Sequence, residues 1–178
     1  MLYTRKGDDG TSGLLGTKKR FPKNSPVYDA LGTLDELNSL LGVCRAYAMR
    51  KKRKIDIAGE IRNVQEQLFI IQAELAGAPK SILPKHIKEL ESTIKKFEKL
   101  IENPHAFVIS GTTELSALLD YARAVSRRAE RQVLGAQKTQ KVSSPTRTYL
   151  NRLSSLLYAL ARYTATIKGA KESSPSYL

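Results

Sequence analysis

With 178 residues, 41% of them hydrophobic, the chain is long enough to bury a single core and is neither disordered nor membrane-embedded. Its 30 Lys and Arg against 17 Asp and Glu leave a formal net charge of +13, which points to an anionic partner: nucleic acid, a membrane surface or a small phosphorylated ligand. No apolar run approaches the ~20 residues that span a bilayer, and the single cysteine, Cys44, excludes an internal disulfide and reads as a small buried hydrophobe. The opening MLYTRKGDDG carries neither a secretory nor a transit pattern, so a cytoplasmic location is expected.

Residues 3–26 hold Gly7, Gly10, Gly13 and Gly16 among Asp, Thr, Ser and Lys, with no hydrophobic period. The segment reads as an irregular loop whose glycines let backbone N–H groups approach an anion; a flexible basic tail is the plainer alternative. Its spacing is neither a Walker A loop nor a G-x-G-x-x-G turn. The first helix is expected to start near Thr33, where Thr33-x-x-Glu36 matches a capping box and Leu34, Leu37, Leu41 and Cys44 follow at helical spacing. A cationic run at 50–54 closes it. A second helix is expected over residues 56–76, with Ile57, Ile61, Val64, Leu68, Ile71 and Leu75 inward, and a third over 84–103, with Ile87, Leu90, Ile94, Phe97 and Ile101 inward.

The fourth helix follows a short apolar run at 107–109 and a Ser-Gly-Thr-Thr break, with Thr112 or Thr113 as N-cap and an end near Gly135. Leu115, Leu118, Ala122, Val125 and Ala129 mark one face, whereas Arg123, Arg127, Glu130 and Arg131 share another. That second face is either a solvated basic surface or a fixed cradle for phosphate, since Arg offers a rigid fork of donors. Ser144-Pro145 is read as the start of the fifth helix, with Asn151, Ser155, Tyr158 and Arg162 away from its Leu stripe. Residues 1–26 therefore read as a loop, 27–168 as one all-α five-helix bundle and 169–178 as a fraying tail.

Built-in metal chemistry has little support. Glu102-x-x-His105 has the spacing of a di-iron bundle, but Pro104 interrupts the helix that would align the pair, and no metal ligand set is assigned. No nucleophile has a recognisable base beside it. What remains is a set of binding groups, which suits a protein that positions substrates and lets a reactive cofactor attack.

Five segments then carry a resemblance. Residues 3–12 (YTRKGDDGTS), 32–38 (GTLDELN), 72–76 (QAELA), 122–131 (ARAVSRRAER) and 149–154 (YLNRLS), in this order, resemble the PduO-type ATP:cob(I)alamin adenosyltransferases. The resemblance implies a ferritin-like five-helix bundle assembled as a homotrimer, with sites between neighbouring subunits. It implies transfer of the adenosyl group of ATP to cob(I)alamin, with Mg²⁺ held mainly through the ATP phosphates. By matched motif, Thr4, Arg5, Lys6, Gly7, Ser12, Gly13 and Lys23 bind ATP from the loop, and Arg127, Arg128, Ala129, Glu130, Arg131 and Asn151 bind it from the helices. Asp35 and Arg123 match a salt bridge across the subunit interface, and Phe107 matches the aromatic that keeps the lower face of cobalt free. A cobalamin reductase and a downstream cobalamin-dependent enzyme are the implied protein partners; nucleic acid and membrane are not.

The chain departs from the family pattern in places. Ile109-Ser110-Gly111-Thr112 stands where a Leu-Pro-Gly-Gly turn is usual, Asp120 where His is common, Ser126 where Cys is common, and Ser155 where Asp is frequent. Two other functions fit the composition: a basic nucleic-acid-binding bundle, and a non-catalytic ATP or corrinoid sensor on the same fold.

Overall fold

The computed structural model describes residues 3–15, 17–50, 54–102 and 106–177. Gly16, the basic residues at 51–53 and the Pro104 and His105 of the expected Glu-x-x-His spacing lie outside them. Five long helices form: α1 (Pro26–Met49), α2 (Ile57–Leu75), α3 (Pro84–Glu98), α4 (Glu114–Ala136) and α5 (Ser144–Thr166). Packing runs α2 on α1, α1 on α4, α4 on α5 and α5 on α3, which leaves α4 with a helix on each side. The expected five-helix bundle is present, and no helix among the described residues is long and apolar enough to cross a membrane.

Each stripe read from the period faces the core. Leu34, Leu37, Leu41 and Cys44 of α1 and Ile61, Leu68, Ile71 and Leu75 of α2 are at most 1% exposed. At about 25 cal/mol per Å² of apolar surface, each such large side chain supplies about 1.5–3 kcal/mol of transfer free energy. Burial pushes the Cys44 thiol up to about 12, so it behaves as a hydrophobe at neutral pH.

Four boundaries differ from expectation. First, α1 begins two turns before Thr33: Ser25 is its N-cap with Pro at the first turn, and Val27 and Ala30 extend the buried stripe backwards. The Thr33 hydroxyl instead donates to the Asp29 carbonyl one turn back, at 2.8 Å. Second, α3 stops at Glu98, well before residue 103. Third, the N-cap of α5 is Ser143, whose hydroxyl accepts from Thr146 N–H, and Glu74 of α2 takes the Ser143 N–H at 2.6 Å and the Thr146 hydroxyl at 2.5 Å. Fourth, the N-terminal loop is not wholly irregular. Strands β1 (Thr11–Gly13) and β2 (Arg20–Pro22) form an antiparallel ribbon, Ser12 opposite Phe21, before the chain enters α1.

The N-cap of α4 is Thr113, which accepts from Ser116 N–H while the Ser116 hydroxyl accepts the Thr113 N–H. Beyond α5 the chain reverses at Gly169, with φ of 64°, and Ala170 N–H returns to the Ala165 carbonyl as in a Schellman motif.

Candidate active site

The loop that precedes α1 is organised by two side chains from β2 and its end. Arg20 Nε donates to Thr11 Oγ1 at 2.7 Å, and its Nη2 donates to the Thr11 carbonyl at 2.9 Å and to the Lys6 carbonyl. Lys23 Nζ donates to the Gly7 carbonyl at 2.8 Å, and Lys23 N–H reaches the Gly10 carbonyl at 2.9 Å. A Cβ on Gly7 would lie 3.0 Å from Lys23 Nζ, so glycine allows this close approach. Asp9 Oδ1 accepts from Thr11 Oγ1 and Thr11 N–H at 2.7 and 2.9 Å. The Thr11 hydroxyl, its backbone N–H and the nearby Arg20 cation hold the Asp9 carboxyl below its ordinary value, against a small opposing effect of burial.

This folding back leaves Thr4, Arg5 and Lys6 exposed, with Gly7 and Ser12 half-buried and Gly13 exposed beside them. Arg5 adopts a positive φ of 58°, a conformation that non-glycine residues rarely hold. Of the expected loop residues, the structure brings Lys23 onto Gly7. Arg20, which carries no motif signal, is the residue that sequence reasoning missed here.

On α4 the arginines divide. Arg127 and Arg131 are exposed and make no hydrogen bond or ion pair among the described residues. Arg128 points to α1 and pairs with Glu36 through Nη2. Glu130 accepts from Asn151 Nδ2 of α5 at 3.2 Å, which fixes the two expected polar residues against each other. Ala129 is fully buried beneath them and contributes packing. Among the described residues no hydrogen bond or ion pair joins the N-terminal loop to Arg127, Arg128 or Arg131.

The third region lies at the start of α4. Phe107, 79% exposed, lines a cavity of about 480 Å³ with Val108, Ser110, Asp120, Arg123, Tyr158 and Arg162. A second hollow of about 420 Å³ meets it at Arg123 and Tyr158 and adds Ile101, Ser154 and Ser155. The floor is ionic: Arg162, 2% exposed, pairs with Asp120 through Nη2 and with Glu172 through Nη1 at 2.9 Å, and its guanidinium lies 5.1 Å from the Tyr158 ring centroid. Periodicity had set Arg162 on a polar face. The structure leaves Asn151 and Ser155 of that face exposed and Tyr158 half-buried, and it buries Arg162, whose pairing with Asp120 spans two helices with no local signal.

Asp35 and Arg123 do not meet. Asp35 lines an open hollow on α1 and α2 with Tyr28, Leu31, Phe69 and Gln72, whereas Arg123 lines the Phe107 cavity. Arg123 Nε is buried without a hydrogen-bond partner, and Asp35 makes no ion pair among the described residues. Among those residues no three His, Cys, Asp or Glu side chains gather as a metal site.

The described residues therefore combine a helix bundle, a loop rich in hydrogen-bond donors, two exposed arginines without a polar partner among those residues, and an aromatic-lined cavity. The model of the cobalamin adenosyltransferase family matches residues 2–164, and the chain belongs to that family. It is 37% identical over 168 residues to the corrinoid adenosyltransferase PduO of Salmonella typhimurium; 90% of this chain matches, but it spans about half (48%) of that relative's length. A corrinoid adenosyltransferase of Citrobacter freundii is 37% identical over 172 residues, covering 93% of this chain and 95% of the relative. Among solved structures, a Phe-to-His variant of the PduO-type ATP:corrinoid adenosyltransferase of Lactobacillus reuteri, complexed with cobalamin and ATP, superposes with a TM-score of 0.89 at 26% identity. That match covers 99% of this chain and 97% of the other. An Arg-to-Lys variant of the same enzyme with ATP gives 0.86 at 27% identity, over 98% and 100% of the two chains.

Proposed function

We infer that the chain transfers the 5′-deoxyadenosyl group of ATP to cob(I)alamin, giving adenosylcobalamin and triphosphate. Family membership over residues 2–164 is the observation that carries this reading, and the division of the site into a donor-rich half and an aromatic-lined half fits it. Cobalt(I) supplies the electron pair that forms the Co–C5′ bond. The C5′–O bond breaks, and its electrons leave on the triphosphate. The protein needs no nucleophile or general base of its own for this step.

Two tasks remain for the side chains. One is to hold C5′ in line with cobalt, an effect of proximity. Thr4, Arg5, Lys6, Gly7, Ser12, Gly13 and Lys23 would hold the nucleotide from the loop. The other is to stabilise charge on the departing triphosphate, which falls to Arg127 and Arg131, whose guanidinium groups have no hydrogen-bond or ion-pair partner among the described residues. Asn151 and Glu130 would orient the nucleotide through their mutual hydrogen bond. Arg128 would reach it only by leaving Glu36. Mg²⁺ would ride on the phosphate oxygens, since it prefers one or two carboxylates plus phosphates to an all-protein cage. Phe107 would lie against the lower face of the corrin and keep an axial ligand away, which eases reduction to cobalt(I).

The proposed assembly is a homotrimer in which the loop of one copy faces the Arg127 surface of the next. Support comes from the orphaned Arg123 Nε, the unpaired Asp35 and the 60% exposure of Phe69 beside it. An Asp35 carboxylate from a neighbouring subunit would satisfy Arg123 and close the corrinoid side. ATP and a strongly reduced corrinoid favour the cytoplasm as the compartment, with a cobalamin reductase as electron supplier.

The test is anaerobic turnover with ATP, Mg²⁺ and chemically reduced cobalamin, followed by the adenosylcobalamin spectrum and by triphosphate release. Both products should form in equal amounts. Absence of product above the protein-free control, with ATP still bound, would leave a sensor rather than an enzyme.

A further inference from the structure

The segment that carries Phe107 is irregular from Ala106 to Thr113, and Gly111 within it has a φ of 117°. Between Ala106 and Gly111, the backbone hydrogen bond that ties this segment to the rest of the molecule runs from Ile109 N–H to the Ser173 carbonyl, at 2.9 Å. Ser173 belongs to the tail beyond α5. The Schellman reversal at Gly169 sends that tail back along the bundle, and Glu172 then meets Arg162 at 2.9 Å. Arg162 in turn holds Asp120 and lines the Phe107 cavity. The two anchors are adjacent residues: the Glu172 carboxylate forms an ion pair with Arg162 at the cavity floor, and the Ser173 carbonyl accepts from Ile109 N–H beside its rim.

We propose that Glu172 is a positioning residue for the corrinoid half of the reaction: by pinning the tail to Arg162 it presents the Ser173 carbonyl to Ile109 and so sets the attitude of Phe107. This rests on the adenosyltransferase reading for its ligand, but its geometry stands on contacts within the chain. Asp120 matters to it. Arg162 would be a lone buried cation without the two carboxylates, and Asp120 supplies the first of them. Glu172 supplies the second, from the tail beyond α5.

Burial raises the Glu172 carboxyl above its ordinary value, against the pull of Arg162 and with a further push from the Asp120 charge. The ATP side shares no residue with this cluster, so the two halves of the site should separate in kinetics.

The experiment compares Glu172→Gln and Glu172→Asp with the wild-type full chain. Three readouts are taken: KM for ATP and for cob(I)alamin, the spectrum of bound cob(II)alamin with ATP present, and hydrogen exchange at the Ile109 amide. Glu172→Gln should raise the corrinoid KM about fivefold while the ATP KM stays within about twofold. It should also lower the fraction of cob(II)alamin that has lost its axial ligand, and expose the Ile109 amide to faster exchange. Glu172→Asp, which keeps the carboxylate, should recover a large part of each effect. Unchanged exchange at Ile109, or equal rises in both KM values, would overturn the proposal. Exchange is read without substrate, so an inactive wild-type protein would refute the proposed function and leave the tail's geometry separately testable.

Discussion

The two halves of the candidate site are built on opposite principles. On the loop and Arg127 side, charged donors stand in solvent with few partners: Arg5, Lys6, Arg127 and Arg131 are all exposed. On the Phe107 side Arg162 is sunk beneath the cavity between Asp120 and Glu172, and Arg123 Nε is buried without a hydrogen-bond partner. Under the proposed function the exposed arginines would meet the polyanion, and the buried, ion-paired floor would lie beneath the large ligand. The same chain therefore keeps electrostatic work and steric work apart, and substitutions should sort by side.

The largest effect is expected at Arg127. Removing one preorganised donor from a leaving group's developing charge costs about 10²–10³-fold in kcat. Arg127→Ala should show a loss of that order with an unchanged circular dichroism spectrum, because the side chain makes no contact that the fold needs. Near-normal turnover would remove Arg127 from the cradle.

Next in size is the contrast between two ion pairs. Asp120→Ala leaves Arg162 buried with one carboxylate, and breaking such a pair costs about 3–5 kcal/mol. Glu36→Ala breaks the Glu36–Arg128 pair, whose side chains are 44% and 46% exposed, and should cost less than about 1 kcal/mol. Urea denaturation of both variants measures the difference directly. Equal losses would mean that burial does not distinguish the two sides as described.

Arg20→Ala tests the loop. It removes three hydrogen bonds that fold the glycine-rich segment onto β1, without touching the bundle core. The ATP KM should rise about tenfold and the corrinoid KM stay within about twofold, because the cost falls on preorganisation of one half. Steady-state kinetics with each substrate varied in turn checks it.

The smallest effect concerns pH. Asp9 has its pKa lowered in the folded loop, chiefly by the Thr11 hydroxyl. For a carboxyl lowered on folding, the contribution to loop order is present above the unfolded value and lost as pH falls through the folded one. The Thr11 amide resonance should therefore keep its hydrogen-bonded shift down to pH values below the ordinary Asp range. A midpoint at or above that range would show that Asp9 does not order the loop.

Much of the bundle was legible because its signal is periodic. Ile57 to Leu75 of α2 repeats at three and four, and the structure buries each expected position. The start of α1 was missed for a local reason: Thr33-x-x-Glu36 mimics a cap, and only burial of Val27 and Ala30 shows that Ser25-Pro26 is the true one. The β1–β2 ribbon is three residues per strand, too short for an alternation to register. Site residues were legible where a motif recurs, as at Arg127 or Gly7. Those that act through tertiary pairing were not. Arg20 looks like one more surface cation, and Asp120 and Arg162 lie 42 residues apart on helices whose other polar residues, Arg127 and Asn151 among them, stay exposed. Charge on a helix reads as solvated until its neighbours are known.

The central claim is that the two halves of each site come from different copies of the chain. Mixing tests it most directly. Arg5→Ala chains and Arg127→Ala chains, each inactive alone, are unfolded together, refolded as mixed oligomers and assayed for adenosylcobalamin. The account predicts recovered turnover, because some sites then pair an intact loop from one copy with an intact Arg127 from its neighbour. No recovery, with mixed oligomers shown to form, would place loop and Arg127 in the same chain's site and contradict it.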